Sequence, residues 1–220
     1  MTPKQRHRWA VDFTARYIKR NVPEGVFVEC GVKQGTSARI MASVLQRRGY
    51  LFDTWYGFPH YSEHDIPENN RVGRRNRLDH RVKDKSSCYK ACKKYLKKYE
   101  VDHLCNLIRG DICKTVPKFA HTSREICFLH IDTDLYKPAY VSLKFLSPFV
   151  TDSGVIVMHD YGDTKWPGIM RVVNEFIKNK SAWEFIDMRD AIGLKTAVLI
   201  NGLDTTYNSY VSGKWNMKEE

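Results

Sequence analysis

The sequence predicts an α/β protein built on a doubly wound, mostly parallel, seven-stranded sheet with an antiparallel edge strand. Three observations carry that prediction. Short apolar runs alternate with amphipathic segments from residue 26 to residue 178, the pattern of a parallel sheet covered by helices on both faces. Glycines stand where the first run turns into the next helix, in VECGVKQGTS at 28–37. Two later runs, CFLHI at 127–131 and GVIVM at 154–158, lead straight into ionisable side chains: Asp132 and Asp134 after the first, His159 and Asp160 after the second. Residues just past the strand ends of a parallel sheet gather along one edge, where open α/β sheets bind ligands.

The elements follow in order. Trp9, Phe13 and Tyr17 recur at helical spacing and predict an amphipathic helix over 5–20. NVPEG at 21–25 breaks it. VFVEC at 26–30 reads as a buried strand, and a helix follows over about 36–47 with Gly49 as its stop. A second strand is predicted at 50–53. From 57 to 85 the chain carries Pro59, Pro67, Asn69-Asn70 and Gly73 and few aliphatics. An irregular insertion of that length in a compact domain, placed just after a strand end, reads as a lid. Helices are then predicted at 87–99, 112–119, 139–149 and 169–178, and strands at 104–109, 126–131 and 155–158. Two late strands, 183–188 and 196–200, join through Ile192-Gly193 and supply the antiparallel edge.

At 220 residues the chain is one domain, 1–220, large enough to bury a core. No apolar run is long enough to span a membrane, and MTPKQRHRWAVDF lacks the apolar core of a signal peptide. A cytoplasmic location without membrane contact is therefore expected, and with it six reduced cysteines. Cys88 and Cys92 share a helix face, and no CxxC pair occurs. The formal net charge is +11, concentrated between Arg71 and Lys98. Such a stretch is either a solvated face or a contact for an anionic partner. Nucleic acid is the sharper alternative, disfavoured by the lack of an RNP-type or zinc-finger pattern.

The first turn offers Glu29 at a strand end and Gly31 and Gly35 in the loop, with Ser37 just inside the helix. A dinucleotide fingerprint would add a middle glycine, so that backbone could approach a pyrophosphate. Its absence favours S-adenosylmethionine, which carries an amino acid and a sulfonium instead of a pyrophosphate. Asp53, about twenty positions on, is placed to accept ribose hydroxyls in either kind of cofactor. Gly110 and Asp111 form a third point on the rim, as an adenine contact or simply a turn. The acids at 132, 134 and 160 fit a divalent-metal site or an acid/base site. The bland readings are a helix cap for 132–134 and an ordinary turn for 160.

Together VECGVKQGTSA, LFDTWYGFP, RGDICKTVP, LHIDTDLYKPAYVSLKFLSP and GVIVMHDYGD resemble the macrocin O-methyltransferase family over residues 22–178. That resemblance implies a class I, S-adenosylmethionine-dependent enzyme that methylates a sugar hydroxyl with help from bound Mg²⁺. The substrate it implies is a 6-deoxyhexose, such as rhamnose in a glycan or glycoside. It implies Asp132 and Asp160 as metal ligands. At position 159 the family pattern has an acid, and the histidine here suits Mn²⁺, Fe²⁺ or Zn²⁺ better than Mg²⁺. Asp134 is the first candidate for the general base, with Asp132 and His159 as alternatives. A catechol or phenol is the alternative acceptor, a nucleic-acid-binding methyltransferase a more distant one. A homodimer is compatible with the chain.

Overall fold

The structure is a computed structural model that describes residues 2–66, 87–122, 124–178, 182–189 and 194–202. Six α-helices and seven strands are present among them: α1 (Pro3–Asn21), β1 (Val26–Cys30), α2 (Thr36–Leu45), β2 (Gly49–Asp53), α3 (Ser87–Lys98), β3 (Cys105–Arg109), α4 (Ile112–Ala120), β4 (Ile126–Ile131), α5 (Tyr136–Leu146), β5 (Val150–His159), α6 (Pro167–Lys178), β6 (Trp183–Asp187) and β7 (Thr196–Asn201).

One seven-stranded sheet runs in the order β3-β2-β1-β4-β5-β7-β6. The first five of these strands pair in parallel. β7 runs antiparallel to both β5 and β6, so the reversed strand lies one place in from the rim. The period of two explains the layering. Phe27, Val155 and Val157 face one apolar layer with α1, α2 and the Cys92–Leu96 stripe of α3. Val28, Ile156 and Met158 face the other, with α4, α5 and α6. Progress along the sheet reverses between β1 and β4. This switch point is where open sheets leave a crevice beyond the carboxyl ends of their strands.

Several expectations shift in detail. Gly49 does not end α2. That helix closes at Gln46 in the left-handed region, and Gly49 opens β2, where a Cβ would collide with the Phe27 ring. β5 begins at Val150, earlier than the apolar run that announces it. α5 begins at Tyr136, before Pro138.

Of the expected lid over 57–85, residues 57–66 form a docked segment with a short 3₁₀ turn at Glu63–Asp65. Residues 67–86 lie outside the described residues, as do Arg71 to Lys85 of the basic stretch and the Ile192-Gly193 join. Lys90, Lys93, Lys94, Lys97 and Lys98 on α3 all face solvent. All six cysteines are free thiols. Among the described residues no helix is long and apolar enough to cross a membrane.

Candidate active site

The crevice at the switch point is framed by a glycine turn after β1 and two acidic turns after β4 and β5. Gly31 has φ +90°, and a Cβ there would run into the Asp132 carbonyl. Only glycine lets the two neighbouring strand ends close up in this way. Asp53 then fixes the turn. Its Oδ2 accepts from the Val32 and Lys33 amides at 2.8 and 2.7 Å, and its Oδ1 accepts from the Trp55 amide at 2.6 Å. Gly35, at φ +80°, N-caps α2.

On the other side of the crevice charge is crowded. His159 Nδ1 lies 2.8 Å from Asp132 Oδ1 and 3.2 Å from Asp160 Oδ1. Asp134 and Asp160 both hold left-handed backbone, at φ 62° and 61°. Such conformations cost on the order of 1–3 kcal/mol each and gather at functional sites.

The acids do not cap α5, whose N-cap is Leu135 without a side-chain bond. The cap comes from elsewhere. Asp65 Oδ1 accepts from the Tyr136 amide at 2.7 Å, while Asp65 Oδ2 accepts from the Ser62 amide and hydroxyl. Asp132 and Asp134 are thereby left free of capping, and Asp132 lines the crevice.

The local fields separate these groups. Burial would raise the Asp132 carboxyl, but the charge and hydrogen bond of His159 override it and hold Asp132 well below the usual range. Burial likewise opposes the charge on His159, yet Asp132 and then Asp160 lift its affinity for a proton to about 11. Asp134 goes the other way: burial, reinforced by the charges of Asp132 and Asp160, pushes it well above an ordinary aspartate.

A family model described as a methyltransferase domain matches residues 28–161, which take in both sides of the crevice. The chain belongs to the methyltransferase-domain family. Its fold is similar to that of CalS11, a calicheamicin methyltransferase, at 20% identity and a TM-score of 0.74, with 93% of this chain and 81% of that chain covered. It is also similar to the O-methyltransferase NovP, at 22% identity, a TM-score of 0.67 and coverage of 89% and 79%. An O-methyltransferase from Bacillus cereus in complex with SAH is similar at 12% identity and a TM-score of 0.60, with coverage of 92% and 82%. A search of the curated proteins finds no match.

The methyltransferase gathers six of the sequence-predicted residues around one cavity of about 450 Å³: Glu29, Gly31, Ser37, Asp132, His159 and Asp160. Gly35, Asp53, Gly110, Asp111 and Asp134 are not among its lining residues. Asp111 is engaged as the N-cap of α4, accepting from the Cys113 amide at 2.9 Å, and its Oδ2 lies 2.8 Å from His60 Nε2. A broader hollow of about 520 Å³ between Pro23, Arg47 and Arg124 holds none of the predicted site residues.

Asp53, expected on the ribose, accepts from three backbone amides and so also shapes the glycine turn. His159, weighed as a base, lies between two carboxylates that raise its proton affinity. Trp55 and Tyr161, close to the ends of β2 and β5, are buried in the core.

Four residues of the methyltransferase's crevice or its frame escape a sequence reading: His7, His60, Asp65 and His130. His130 is wholly buried, and its Nδ1 lies 3.0 Å from Glu29 Oε1. A signal for that pair was present. Glu29 and His130 interrupt two otherwise apolar strands, which are neighbours in the sheet and set them in register. A buried polar group on a central strand needs a partner. Nothing local announces His7 or Asp65, whose contacts span 30 and 71 residues along the chain.

Proposed function

We propose that this methyltransferase moves the methyl group of S-adenosylmethionine to a sugar hydroxyl, the substrate being a 6-deoxyhexose such as rhamnose in a glycan or glycoside. The observation that carries the reading is the convergence of Asp132, His159 and Asp160 in one cavity with the glycine turn. Their donor atoms all lie within 4.8 Å of one another. Two carboxylates and an imidazole at that spacing fit a divalent cation, Mg²⁺ or Mn²⁺, once ligation replaces the proton on His159. The likeness of the fold to CalS11, described as a TDP-rhamnose 3'-O-methyltransferase, supports the substrate class.

When bound, the methyl donor supplies an electrophilic carbon, and the cation supplies a lowered acidity for a hydroxyl held against it. The chain's residues do the rest. Glu29 brings a carboxylate oxygen without a hydrogen-bond partner to the cavity, an acceptor suited to the donor's ammonium group. Gly31 admits the donor to the backbone, and Ser37 offers a hydroxyl on the same wall. Gly110 and Asp111 flank the rim beyond β3, on the side assigned to adenine. Asp134, whose proton affinity is raised by burial and by the charges of Asp132 and Asp160, takes the proton from the attacking hydroxyl. Holding donor, acceptor and base in line supplies much of the rate in such a transfer.

The test is direct. Purified protein is incubated with labelled S-adenosylmethionine and Mg²⁺ or Mn²⁺, and offered TDP-rhamnose, simple rhamnosides and catechols in parallel. Methylated rhamnose in the presence of metal, with S-adenosylhomocysteine raising Tm, is the expected result. Methylation of catechols alone would reassign the acceptor, and no stabilisation by S-adenosylhomocysteine would overturn the methyl-donor assignment.

A further inference from the structure

Behind the reacting edge lies a second set of donors, two of which methyl transfer leaves unused. His7 on the second turn of α1, His130 in β4 and Asp132 just past β4 each bring one donor atom within 4.8 Å of the others. His130 is fully buried. Its Nδ1 is taken by Glu29 at 3.0 Å, and its Nε2 has no partner. His7 repeats the arrangement: its Nε2 lies 3.2 Å from Ser37 Oγ, and its Nδ1 is buried without a partner. The two rings are 5.3 Å apart between centroids.

Buried imidazole nitrogens are ordinarily satisfied. Here both rings are anchored through one nitrogen and leave the other without a partner, in a group that also holds the Asp132 carboxylate. That is how ligating histidines are held: the far nitrogen is tied to a carboxylate or hydroxyl, which fixes the tautomer and aims the near nitrogen. Glu29 plays that part for His130, and Ser37 plays it for His7. Two imidazoles and one carboxylate favour zinc, cobalt, iron or manganese over magnesium. By contrast, the His60–Asp111–Cys113 cluster has no buried nitrogen without a partner among the described residues.

We propose that His7, His130 and Asp132 form a binding site for a divalent transition-metal ion, which ties α1 to the end of β4. The site adjoins the Asp132–His159–Asp160 cluster and shares Asp132 with it, but it does not depend on the methyl-transfer reading.

The full-length protein, stripped with EDTA, is titrated with Co²⁺ in the absence of any methyl donor, and the ligand-field absorption is followed. The background is the Asp160→Asn chain, in which the neighbouring cluster is weakened. That chain is expected to take up one Co²⁺ with imidazole ligation and to gain in Tm. Adding His7→Ala, on a half-buried position of α1 that should still fold, removes both effects. Glu29→Gln, which keeps every ligand, weakens uptake by about 10- to 100-fold. Uptake that is indifferent to His7→Ala would overturn the proposal. Absence of Co²⁺ binding by the Asp160→Asn chain would also overturn it, leaving a buried water on the two nitrogens.

Discussion

The two sides of the crevice use the same residue types to opposite ends. On the β1–β2–β3 side, the two aspartates are engaged: Asp53 by three amides and Asp111 by a cap and His60. On the β4–β5 side, three aspartates and three histidines crowd together, two imidazole nitrogens lack partners, and neighbouring carboxyls are driven apart in proton affinity. The contrast teaches what each side is for. A carboxylate filled by backbone amides holds a loop in shape, whereas perturbed proton affinities and unpartnered nitrogens gathered in one place mark a candidate functional site.

The comparison breaks most sharply at Asp132. Asp132→Asn is expected to lower kcat for methyl transfer by about 100- to 10,000-fold. Calorimetric affinity for S-adenosylhomocysteine should change little, because the loss falls on the acidic side alone. A parallel collapse of cofactor affinity would show that the two sides are not separable.

Next in size is the seam between them. Gly31→Ala forces a side chain into left-handed backbone, at about 1–3 kcal/mol, before its overlap with the Asp132 carbonyl is added. Urea unfolding should show this loss of stability together with weakened cofactor binding. Asp53→Ala tests the satisfied side. Three amides lose their acceptor, and a cost of about 1–3 kcal/mol is expected in urea unfolding, with weaker S-adenosylhomocysteine binding through a loosened glycine turn.

The last effect is a slope, small at any one pH step. His159 gains proton affinity on folding, from 6.5 to about 11. The folded state therefore binds the extra proton, and its stabilisation is complete below about pH 6.5 and lost as pH climbs towards 11. Metal-free wild-type protein should lose stability between those limits by at most about 1.4 kcal/mol per pH unit. Denaturation curves of His159→Gln, run alongside, should be flatter over the same range.

The strands were the most legible part of the chain, because VFVEC and ICFLHI are apolar on both faces and bounded by turn residues. β1 and β4 fall where the pattern puts them. β5 was legible only in its second half, since Thr151, Asp152, Ser153 and Gly154 read as a turn although they continue the strand. The acidic turns were legible because their spacing from the strand ends is local. The start of α5 was not, because its cap is Asp65, supplied by a distant segment. The imidazole pair was half legible: His130 and Glu29 stand out as polar residues within apolar runs. His7, by contrast, sits on a helix whose recognition rested on Trp9, Phe13 and Tyr17.

Asp65 has a practical bearing on anyone who would shorten this chain. The stretch after β2 looks dispensable in a minimal catalytic core. Yet its aspartate is wedged so tightly against α6 that a methyl group on Gly168 would strike it, and the stacking of His64 on Tyr136 at 4.2 Å clamps the same corner. A truncation that begins before residue 62 would strip the first turn of α5 of its acceptor and open a hollow beneath α6, so any trimming should start beyond Ile66.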